Sequence, residues 1–468
     1  MYKIFPASWD RKNPGRLGAI RCPCLHRGRQ QTGQAQAGEN RMLNNPLSHG
    51  LWELTAPAGP DTDSLTGHLN VEVAVIGGGY TGLSAALHLA KSGTEVAVLE
   101  AVDFGFGGAG RNVGLVNAGM WVMPEVLRSS LPRDYGDRLL DLLGNGPKLV
   151  FDLVREHELQ CEAVHAGTLH CAYGSKGFDE IQERARQWQA RGAHVEVLDA
   201  ATAAKKLGTT KYAGALLDHR AGTIQPLAYA RGLASAAQKA KAKLFSRSPV
   251  QSVERVNGNW RIQTPGGHVT AEWIILATDA YGSGPGDPAR TEQVPLPYFN
   301  MATRPLPAEL RLRILPGGEG AWDTQLVMNS FRMDQAGRLV FGSIGALRGT
   351  GTAIHQAWAK RVIGKMFAGF GEVEFEAIWY GTIGMTSDNL PRFHKYDERM
   401  IGFSGYNGRG IAPGTVFGRV LASYVRGEIR DADLPLPVTP VKAAAFRFPK
   451  QMFYEIGAQA THLVDARL

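Results

Sequence analysis

A glycine-rich segment between two short apolar runs carries the clearest chemistry in the sequence. It reads Gly77-Gly78-Gly79-Tyr80-Thr81-Gly82, and Glu100 follows 23 positions after its first residue. Glycines at this spacing let a chain turn sharply, bring its backbone close to a ligand and start a helix against a sheet. The unpaired N–H groups at the start of that helix attract phosphate, and the later carboxylate accepts hydrogen bonds from ribose hydroxyls. The segment therefore predicts a dinucleotide site formed by Gly77, Gly79, Tyr80, Thr81, Gly82 and Glu100.

The elements that must position this site are readable on either side of it. The apolar run Val71–Ile76 predicts a strand, Leu83–Lys91 a helix, and Thr94–Leu99 a second strand that ends at Glu100. Strand, glycine turn, helix and acidic strand end thus all fall within about 30 residues, as a dinucleotide-binding unit requires. An acidic residue at position 100 disfavours the 2′-phosphate of NADP, so that FAD and NAD both remain.

Two further glycine-rich loops could approach the same ligand. The first, Gly105–Gly114, contains Arg111 and Asn112, whose guanidinium and amide suit phosphate or other polar edges of a cofactor. The alternative for this loop is an ordinary turn with a solvated arginine. The second, Gly405–Gly414, joins a predicted strand (Met400–Ser404) to a predicted helix (Thr415–Arg426) and so aims a second helix N-terminus at a ligand.

Four blocks of the sequence resemble the FAD-dependent D-amino-acid oxidase and glycine oxidase superfamily, and in particular the branch of gamma-glutamylputrescine oxidase and L-pipecolate oxidase. The blocks are Val71–Glu100, Gly105–Gly114, Trp273–Tyr281 and Trp379–Gly427. The resemblance extends over about residues 48–430. Two positions depart from the family pattern, because Ala109 stands where serine is usual and Asp279 where asparagine is usual.

The resemblance implies an α/β fold with two parts. A Rossmann-like FAD-binding domain of the glutathione-reductase type is expected from residues 70–125, 225–290 and 380–430. An interleaved substrate domain on a mixed or antiparallel sheet is expected from residues 126–224 and 291–379, followed by a C-terminal extension over 431–468. Hairpins are predicted at Val250–Thr264 and at Gln325–Ser343, and helical periodicity runs over Pro124–Glu158.

The resemblance also assigns cofactor contacts. Beside the first glycine segment, it implies FAD contacts at Arg111, Asn112, Val250, Gly408, Gly410 and Ile411. Val250 is expected to begin a strand whose backbone meets the adenine. The FAD is expected to be non-covalent, because no cysteine lies in the Trp379–Gly414 region, where sarcosine-oxidase relatives place theirs.

The substrate residues are predicted on the strands of the second domain. Arg332 is the first candidate, because relatives place a carboxylate-binding arginine in that strand and a guanidinium holds a carboxylate through two parallel hydrogen bonds. Its alternative is a strand arginine in a surface ion pair. Tyr298 and Arg304 are weaker candidates. No catalytic acid, base or nucleophile is assigned, since the cofactor carries out the difficult step.

Composition and charge exclude several other classes of protein. Residues 1–41 hold eight basic and two acidic residues, a net charge of +6, which leaves only +2 for the other 427 residues. The body of the chain therefore gives no reason to expect nucleic-acid binding. Four cysteines indicate a reducing compartment such as the cytoplasm, and no apolar run is long enough for a transmembrane helix. Cys161, His165, His170 and Cys171 are close in sequence, but no metal site is predicted there.

The first 41 residues show no helical or strand period. We interpret them as a basic disordered tail or as a wrongly extended reading frame, with Met42 as the true start. A targeting peptide is the third alternative, although the segment has no apolar core for secretion and few serines.

The sequence thus predicts an FAD-dependent oxidation of a small amino acid or secondary amine to an imine, with L-pipecolate as the first substrate hypothesis. Oxygen or a membrane quinone is expected to accept the electrons. The alternatives are a gamma-glutamylputrescine oxidase, a D-amino-acid dehydrogenase and, in another class, an NAD-dependent dehydrogenase. A flavoprotein that modifies RNA through the basic tail is a third class.

Overall fold

The computed structural model describes residues 48–132, 134–282 and 288–465, so the predicted tail over 1–41 lies outside the described residues. The strands are β1 (Gly67–Ile76), β2 (Val96–Leu99), β3 (Leu115–Val116), β4 (Thr168–Ala172), β5 (Val195–Asp199), β6 (Gly214–Asp218), β7 (Gly222–Thr223), β8 (Lys243–Phe245), β9 (Ser252–Val256), β10 (Asn259–Thr264), β11 (Gly267–Leu276), β12 (Val294–Pro305), β13 (Gly320–Asp323), β14 (Asn329–Met333), β15 (Arg338–Ile344), β16 (Phe375–Met385), β17 (Arg392–Asp397) and β18 (Met400–Ser404). The helices are α1 (Leu51–Thr55), α2 (Tyr80–Lys91), α3 (Pro124–Ser130), α4 (Tyr135–Gly144), α5 (Gly146–Glu156), α6 (Gly174–Gln189), α7 (Ala200–Leu207), α8 (Pro226–Lys239), α9 (Pro288–Thr291), α10 (Ala308–Arg311), α11 (Thr350–Met366), α12 (Ile411–Val425) and α13 (Arg447–Val464).

The first sheet has the strand order β17-β18-β11-β1-β2-β8, with the β9–β10 hairpin attached to β11. Its five strands from β8 to β18 run parallel. Val73, Ala74 and Val75 of the central strand are fully buried, as expected for a parallel sheet that is covered on both faces. Because the strands are parallel, the loops that follow β1, β2, β11 and β18 all leave from the same edge of the sheet. This edge is where ligands bind in such folds.

The second sheet has the order β16-β12-β15-β14-β13-β4-β6-β5 and is antiparallel except where β13 pairs with β4. One face packs on α7, α10 and α11 through a core that includes Trp358 and Ile363. At the edge strand β16, a Cβ on Gly381 would lie 3.0 Å from the Arg111 Cβ, so this sheet directly contacts the Gly105–Gly114 loop. The predicted α/β fold with a mixed second sheet is confirmed.

Local turn chemistry shortens several predicted elements. The periodic stretch Pro124–Glu158 folds as three helices, α3 to α5, because Pro132 and the Gly144-Asn145-Gly146 turn interrupt it. In the second predicted hairpin, β14 begins only at Asn329. The Asp323 carboxylate accepts hydrogen bonds from the backbone N–H groups of Gln325 and Asn329 at 3.2 and 3.0 Å, which holds the intervening residues in a turn.

Residues 431–465 end in α13, which packs on β12 and α11. The two buried imidazoles of His462 and His355 lie Nδ1 to Nδ1 at 2.8 Å, and the His462 ring stacks on Trp358. Burial lowers the pKa of His355 to about 4 and that of His462 to about 3, with His355 and Arg361 adding repulsion for the latter. Both rings are therefore neutral at neutral pH. In the described ranges, no helix combines the length and apolar character needed to cross a bilayer.

Because of the buried His355–His462 pair, we expect the protein to lose stability in acid. Both histidines have a lower pKa in the folded chain than the value of about 6.5 expected in the unfolded chain. The unfolded chain therefore binds more protons below that pH, so the contribution to stability is complete above it and is lost as the pH falls towards about 4. We expect the free energy of unfolding in urea to decline on acidification more steeply for the wild type than for a His462→Gln variant. Parallel declines would contradict this assignment.

Candidate cofactor site and active site

The first glycine turn follows β1 as the spacing predicts. Gly77 has a φ of 109°, and a Cβ there would lie 2.7 Å from the Ala277 carbonyl oxygen, so only glycine fits. A Cβ on Gly82 would lie 2.0 Å from the Gly77 carbonyl oxygen, and this contact brings α2 against the turn. At Gly79, the N-cap of α2, a Cβ would meet only the Ala109 Cβ at 3.8 Å. The backbone at Gly79 therefore faces open space at a helix N-terminus, where a phosphate can approach.

The carboxylate of Glu100 lies beside this turn. It accepts hydrogen bonds from the backbone N–H of Gly78 at 2.7 Å and of Val102 at 3.0 Å. Burial raises the pKa of Glu100, and these hydrogen bonds oppose that shift. Its position next to the start of α2 is the one that ribose binding needs, and the ribose contact itself stays a prediction.

Tyr80 and Asn112 fasten the second glycine loop to the first. The buried Tyr80 hydroxyl donates to the Ala109 carbonyl at 2.5 Å, and the Asn112 side-chain amide donates to the Gly108 and Ala109 carbonyls at 3.0 Å each. The Asn112 side-chain oxygen accepts from the Gly114 N–H at 2.9 Å. Both polar side chains thus hold the loop in place, and their contacts with FAD stay predictions.

Arg111 also holds backbone in place. Its Nε donates to the Phe106 carbonyl at 3.0 Å, and its Nη1 donates to the Ser48 carbonyl at 2.7 Å. The side chain is buried, and burial lowers the pKa of its guanidinium. The alternative of a solvated arginine is wrong. A direct contact between Arg111 and FAD stays a prediction, because these hydrogen bonds already give the side chain a structural role.

The third loop, Gly405–Gly410, is joined to the rest of the site by two contacts. The Asp279 carboxylate accepts from the Gly405 N–H at 3.0 Å, and it also accepts from the Gln293 side chain at 2.6 Å. The buried Tyr406 hydroxyl lies 2.6 Å from the Thr81 hydroxyl in the first turn of α2. Asp279, the residue that departs from the family pattern, therefore holds the start of this loop through its Oδ1 atom.

The helix after this loop begins earlier than predicted, at Ile411 instead of Thr415, with Gly410 as its N-cap. A Cβ on Gly408, where φ is 83°, would lie 3.2 Å from Ile383, whereas a Cβ on Gly410 would meet nothing within 4 Å. Gly414 and Gly418 let α12 contact α2, because Cβ atoms there would lie 3.2 Å and 2.5 Å from Thr81.

Two helix N-termini, each with open backbone at its N-cap, therefore lie side by side. One group with a pyrophosphate at α2 and a polar ring at α12 fits this cradle, and FAD has both parts. Val250 lies near the acidic end of the same cradle, since Ser248 N–H donates to the Glu100 carbonyl at 2.8 Å. The strand β9 begins at Ser252, two residues later than predicted, and the adenine contact of Val250 stays a prediction.

A narrow cavity lies between the second sheet and the predicted cofactor-binding loops. Its walls come from Ala118 and Arg409 on the cofactor side and from His170 and Trp322 on the sheet. The Arg409 guanidinium lies 5.0 Å from the Trp121 ring and 4.6 Å from the Trp322 ring, and its Nη1 donates to the Ala118 carbonyl at 2.8 Å. Burial, together with repulsion from Arg184, lowers the pKa of Arg409 to about 9. This arginine is still charged at neutral pH.

Two more buried polar side chains face this cavity. Arg184 donates from Nη2 to the Trp121 carbonyl at 2.9 Å, with Glu180 at 3.5 Å. His170 stacks on Trp322 with ring centroids 3.5 Å apart, and burial together with the nearby arginines lowers its pKa well below the usual value. Within the described part of the chain, the Nε atoms of Arg184 and Arg409 and the Nδ1 atom of His170 have no hydrogen-bond partner. The two guanidinium groups favour an anionic ligand, since the Asp218 carboxylate in the same lining is already paired with Arg220 at 2.7 Å.

Arg332 is held by contacts within the chain. Its side chain is buried, its Nε donates to the Met333 carbonyl at 3.1 Å, and its Nη1 donates to the Ile224 carbonyl. Its Nη2 lies 3.8 Å from the Glu162 carboxylate. These contacts give the guanidinium a structural role beneath the Gly105–Gly114 loop, and a substrate contact of Arg332 stays a prediction.

The other two substrate candidates lie far apart. The Arg304 side chain is exposed and forms a surface ion pair with Glu374 at 3.7 Å, and its substrate contact stays a prediction. It lies six residues, or about 20 Å, along β12 from Tyr298. Tyr298 pairs with Gly381, the residue that touches the Arg111 loop, and its hydroxyl lies 2.7 Å from the Ser330 hydroxyl. Burial raises the pKa of Tyr298, so the phenol is neutral, and its substrate contact stays a prediction.

Arg409 and Arg184 were not predicted as site residues, although the sequence contains a signal for each. Arg409 stands between two glycines in a loop already assigned to the cofactor. Arg184 lies on the same helical stripe as Ile181 and Trp188, and a charged residue on a buried stripe is a candidate for function. His170, which also faces the cavity, was considered only as a metal ligand together with the nearby cysteines, and no metal site was predicted. In the part of the chain that the structure describes, no group of three or more His, Cys, Asp or Glu side chains could hold a metal ion.

Comparison with known proteins decides the family. The model of the family described as FAD dependent oxidoreductase matches residues 72–424, which is most of the chain. The chain belongs to this family of FAD-dependent oxidoreductases. Membership of this family confirms the predicted cofactor, FAD. The open space beside the backbone at Gly79 and at Gly410 fits this cofactor.

Several curated relatives of this FAD-dependent oxidoreductase align over most of its length. The probable oxidoreductase OrdL of Rhizobium meliloti (strain 1021) is 29% identical, and the alignment covers 83% of this chain and 91% of the relative. Gamma-glutamylputrescine oxidoreductase of Escherichia coli (strain K12) is 29% identical over 81% of this chain and 89% of its own. Together with the family, they establish an oxidoreductase that acts on amines or amino acids.

Solved structures share the fold at lower identity. Glycine oxidase from Geobacillus kaustophilus superposes with a TM-score of 0.63 at 20% identity, over 79% of this chain and 99% of that one. L-proline dehydrogenase from P. horikoshii superposes with a TM-score of 0.64 at 18% identity, over 78% and 95% of the two chains. These superpositions agree with the predicted fold.

Proposed function

We propose that this FAD-dependent oxidoreductase oxidises an amine that carries a carboxylate at its other end, of the type of gamma-glutamylputrescine. The observation that carries the proposal is the cavity beside the α12 loop, which the side chains of Arg184 and Arg409 both line, and Arg409 forms no ion pair with another described residue. A carboxylate there would pair with this buried charge and offset the cost of burying it.

The relatives favour this alternative over the L-pipecolate hypothesis. The chain aligns with a gamma-glutamylputrescine oxidoreductase over 81% of its own length and 89% of that relative. Gamma-glutamylputrescine combines a terminal amine with a distant α-carboxylate, which suits an anionic subsite set apart from the reacting carbon. L-pipecolate and D-amino acids instead carry the carboxylate next to the carbon that is oxidised.

The protein's part in this reaction is to bind and orient. FAD supplies the two-electron acceptor for the C–H bond next to nitrogen, and the imine that remains is hydrolysed by water. Arg409, fixed between the rings of Trp121 and Trp322, and Arg184 hold the carboxylate end and thereby orient the amine end. Tyr298 offers a neutral hydroxyl at the sheet. Oxygen or a quinone then removes the electrons.

The experiment is an anaerobic titration of the purified holoenzyme with three amines. We expect gamma-glutamylputrescine to bleach the visible band of oxidised flavin rapidly, and equal concentrations of putrescine and L-pipecolate to do so at least about tenfold more slowly, since losing a charged hydrogen-bonded contact costs 1.5–3 kcal/mol. Putrescine is the matched control, because it has the same amine without the glutamyl carboxylate. Faster bleaching by L-pipecolate or by putrescine would contradict the proposal. Admitting air or adding a soluble quinone to the reduced enzyme then identifies the acceptor.

A further inference from the structure

The C-terminal helix α13 packs with its polar side inward. Glu455 and His462 are buried, whereas Phe448 is 71% exposed, Phe453 72% and Ile456 58%. A helix on a globular protein normally turns its apolar stripe to the core and its polar residues to water. The orientation of α13 is the reverse, so its apolar stripe needs another explanation than packing within this chain.

Specific polar contacts hold the helix in this orientation. Arg348 donates to the Glu455 carboxylate at 2.7 Å, and the Thr350 hydroxyl donates to the Gln459 side chain at 3.0 Å. The His355–His462 contact adds a third tie near the end of the helix. A rotation that buried the apolar stripe would break all three ties, so the outward stripe is a built feature of the fold.

The outward stripe is long and continuous. Its large apolar members recur at helical spacing along the whole helix: Phe448, Met452, Phe453, Ile456, Leu463 and Val464. These residues extend from the second position of α13 to its last.

The charges around the stripe indicate what covers it. Between residues 438 and 465 the carboxylates are Glu455, which faces inward and pairs with Arg348, and Asp465, which accepts a hydrogen bond from Trp358 at 2.9 Å. The cations Lys442, Arg447 and Lys450 precede or begin the helix. A surface of anionic lipid headgroups attracts them, and its acyl boundary accepts the phenylalanines and leucines.

We propose that α13 lies on the surface of a bilayer that contains anionic lipid, with its axis in the plane of the membrane. Basic residues flanking an apolar face rich in Phe, Ile and Leu are the features of helices that bind in this way. At 18 residues and about 27 Å, the helix lies on the bilayer instead of crossing it. This proposal is independent of the substrate proposed above.

The test is co-sedimentation of the full-length holoenzyme with vesicles. We expect binding to vesicles of equal parts phosphatidylglycerol and phosphatidylcholine, weaker binding at high salt, and little binding to phosphatidylcholine alone. A Phe453→Ser, Ile456→Ser double variant should lower the partition coefficient at least about tenfold, because two apolar side chains no longer enter the boundary. A Leu312→Ser variant is the matched control, since Leu312 is 79% exposed but follows α10.

The wild type and both variants keep the same basic N-terminal residues, so a difference between them isolates α13. The positions changed are exposed, and flavin reduction by the amine substrate should be unaffected. Equal vesicle binding by the double variant and by Leu312→Ser would overturn the proposal. So would an absence of vesicle binding by the wild type. In that case, a dimer that the double variant dissociates, seen by sedimentation velocity, would assign the face to a second copy of the chain.

Discussion

A Gly79→Val variant is expected to fold normally and to be purified almost free of FAD. The backbone at Gly79 has an extended conformation that valine adopts readily, and the nearest atom to a new Cβ is the Ala109 Cβ at 3.8 Å. The apoprotein therefore has room for the side chain. The valine methyl groups would occupy the space at the N-terminus of α2 through which the pyrophosphate reaches the backbone. We expect FAD content below about a tenth of the wild-type value, since each 1.4 kcal/mol of lost binding lowers affinity tenfold.

The measurement is the ratio of flavin to protein absorbance, with circular dichroism to show that the fold is retained. Gly364→Val in α11 is the matched control, because a Cβ there meets nothing within 4 Å and the position lies in the helices that cover the second sheet. For Gly82→Val we expect a loss of folding instead of a loss of FAD alone. Its Cβ would lie 2.0 Å from the Gly77 carbonyl oxygen, so folding itself should fail. Full FAD content in Gly79→Val would show that the pyrophosphate does not bind at this turn.

An Arg409→Met variant is expected to lose about 100-fold in kcat/KM for gamma-glutamylputrescine while keeping its FAD. Removing a charged hydrogen bond to a buried carboxylate costs about 2–4 kcal/mol, which corresponds to about 30- to 1,000-fold in rate. Methionine has a similar length and remains compatible with the two indole rings. Stability should not fall, because the variant removes a buried cation whose Nε has no partner among the described residues.

Three comparisons separate this role from a structural one. Arg409→Lys should not restore activity, since an ammonium group lacks the planar guanidinium that stacks between Trp121 and Trp322. Slow oxidation of putrescine should be unchanged, because putrescine has no carboxylate to lose. Arg430→Met, at a surface position with an 85% exposed side chain, should behave as the wild type. Loss of FAD or of thermal stability in Arg409→Met, with unchanged kcat/KM in the remaining holoenzyme, would contradict the proposed contact.

Local patterns predicted most of the cofactor-binding half. The strand–turn–helix unit around Gly77 could be read from sequence because each glycine meets a local steric requirement. Gly77 needs a positive φ, and Gly82 contacts a residue only five positions away. The β9–β10 hairpin and β18 followed for the same reason, since alternation and turn residues are short-range signals. Element ends were less certain where a side chain from elsewhere in the sequence, such as Asp323, closes a turn.

The substrate side could not be read in this way. Arg332, Arg304 and Arg409 are all arginines near glycines or strand ends, and only the folded chain separates them into a buried structural group, a surface ion pair and a cavity wall. Arg184 is 225 positions before Arg409 in the sequence, and the two meet only because α6 and the α12 loop pack against the same face of the second sheet.

The sequence by itself therefore indicated that this chain binds a dinucleotide and predicted where the phosphates would enter, because those features depend on backbone geometry within about 30 residues. The family resemblance in the glycine loops then pointed to FAD, and the family match confirmed it. Only the tertiary structure decided which arginines face the cavity and which side of α13 faces outward. Those properties depend on long-range contacts, such as Arg348 with Glu455 and Arg409 with Trp322, and no local period encodes them.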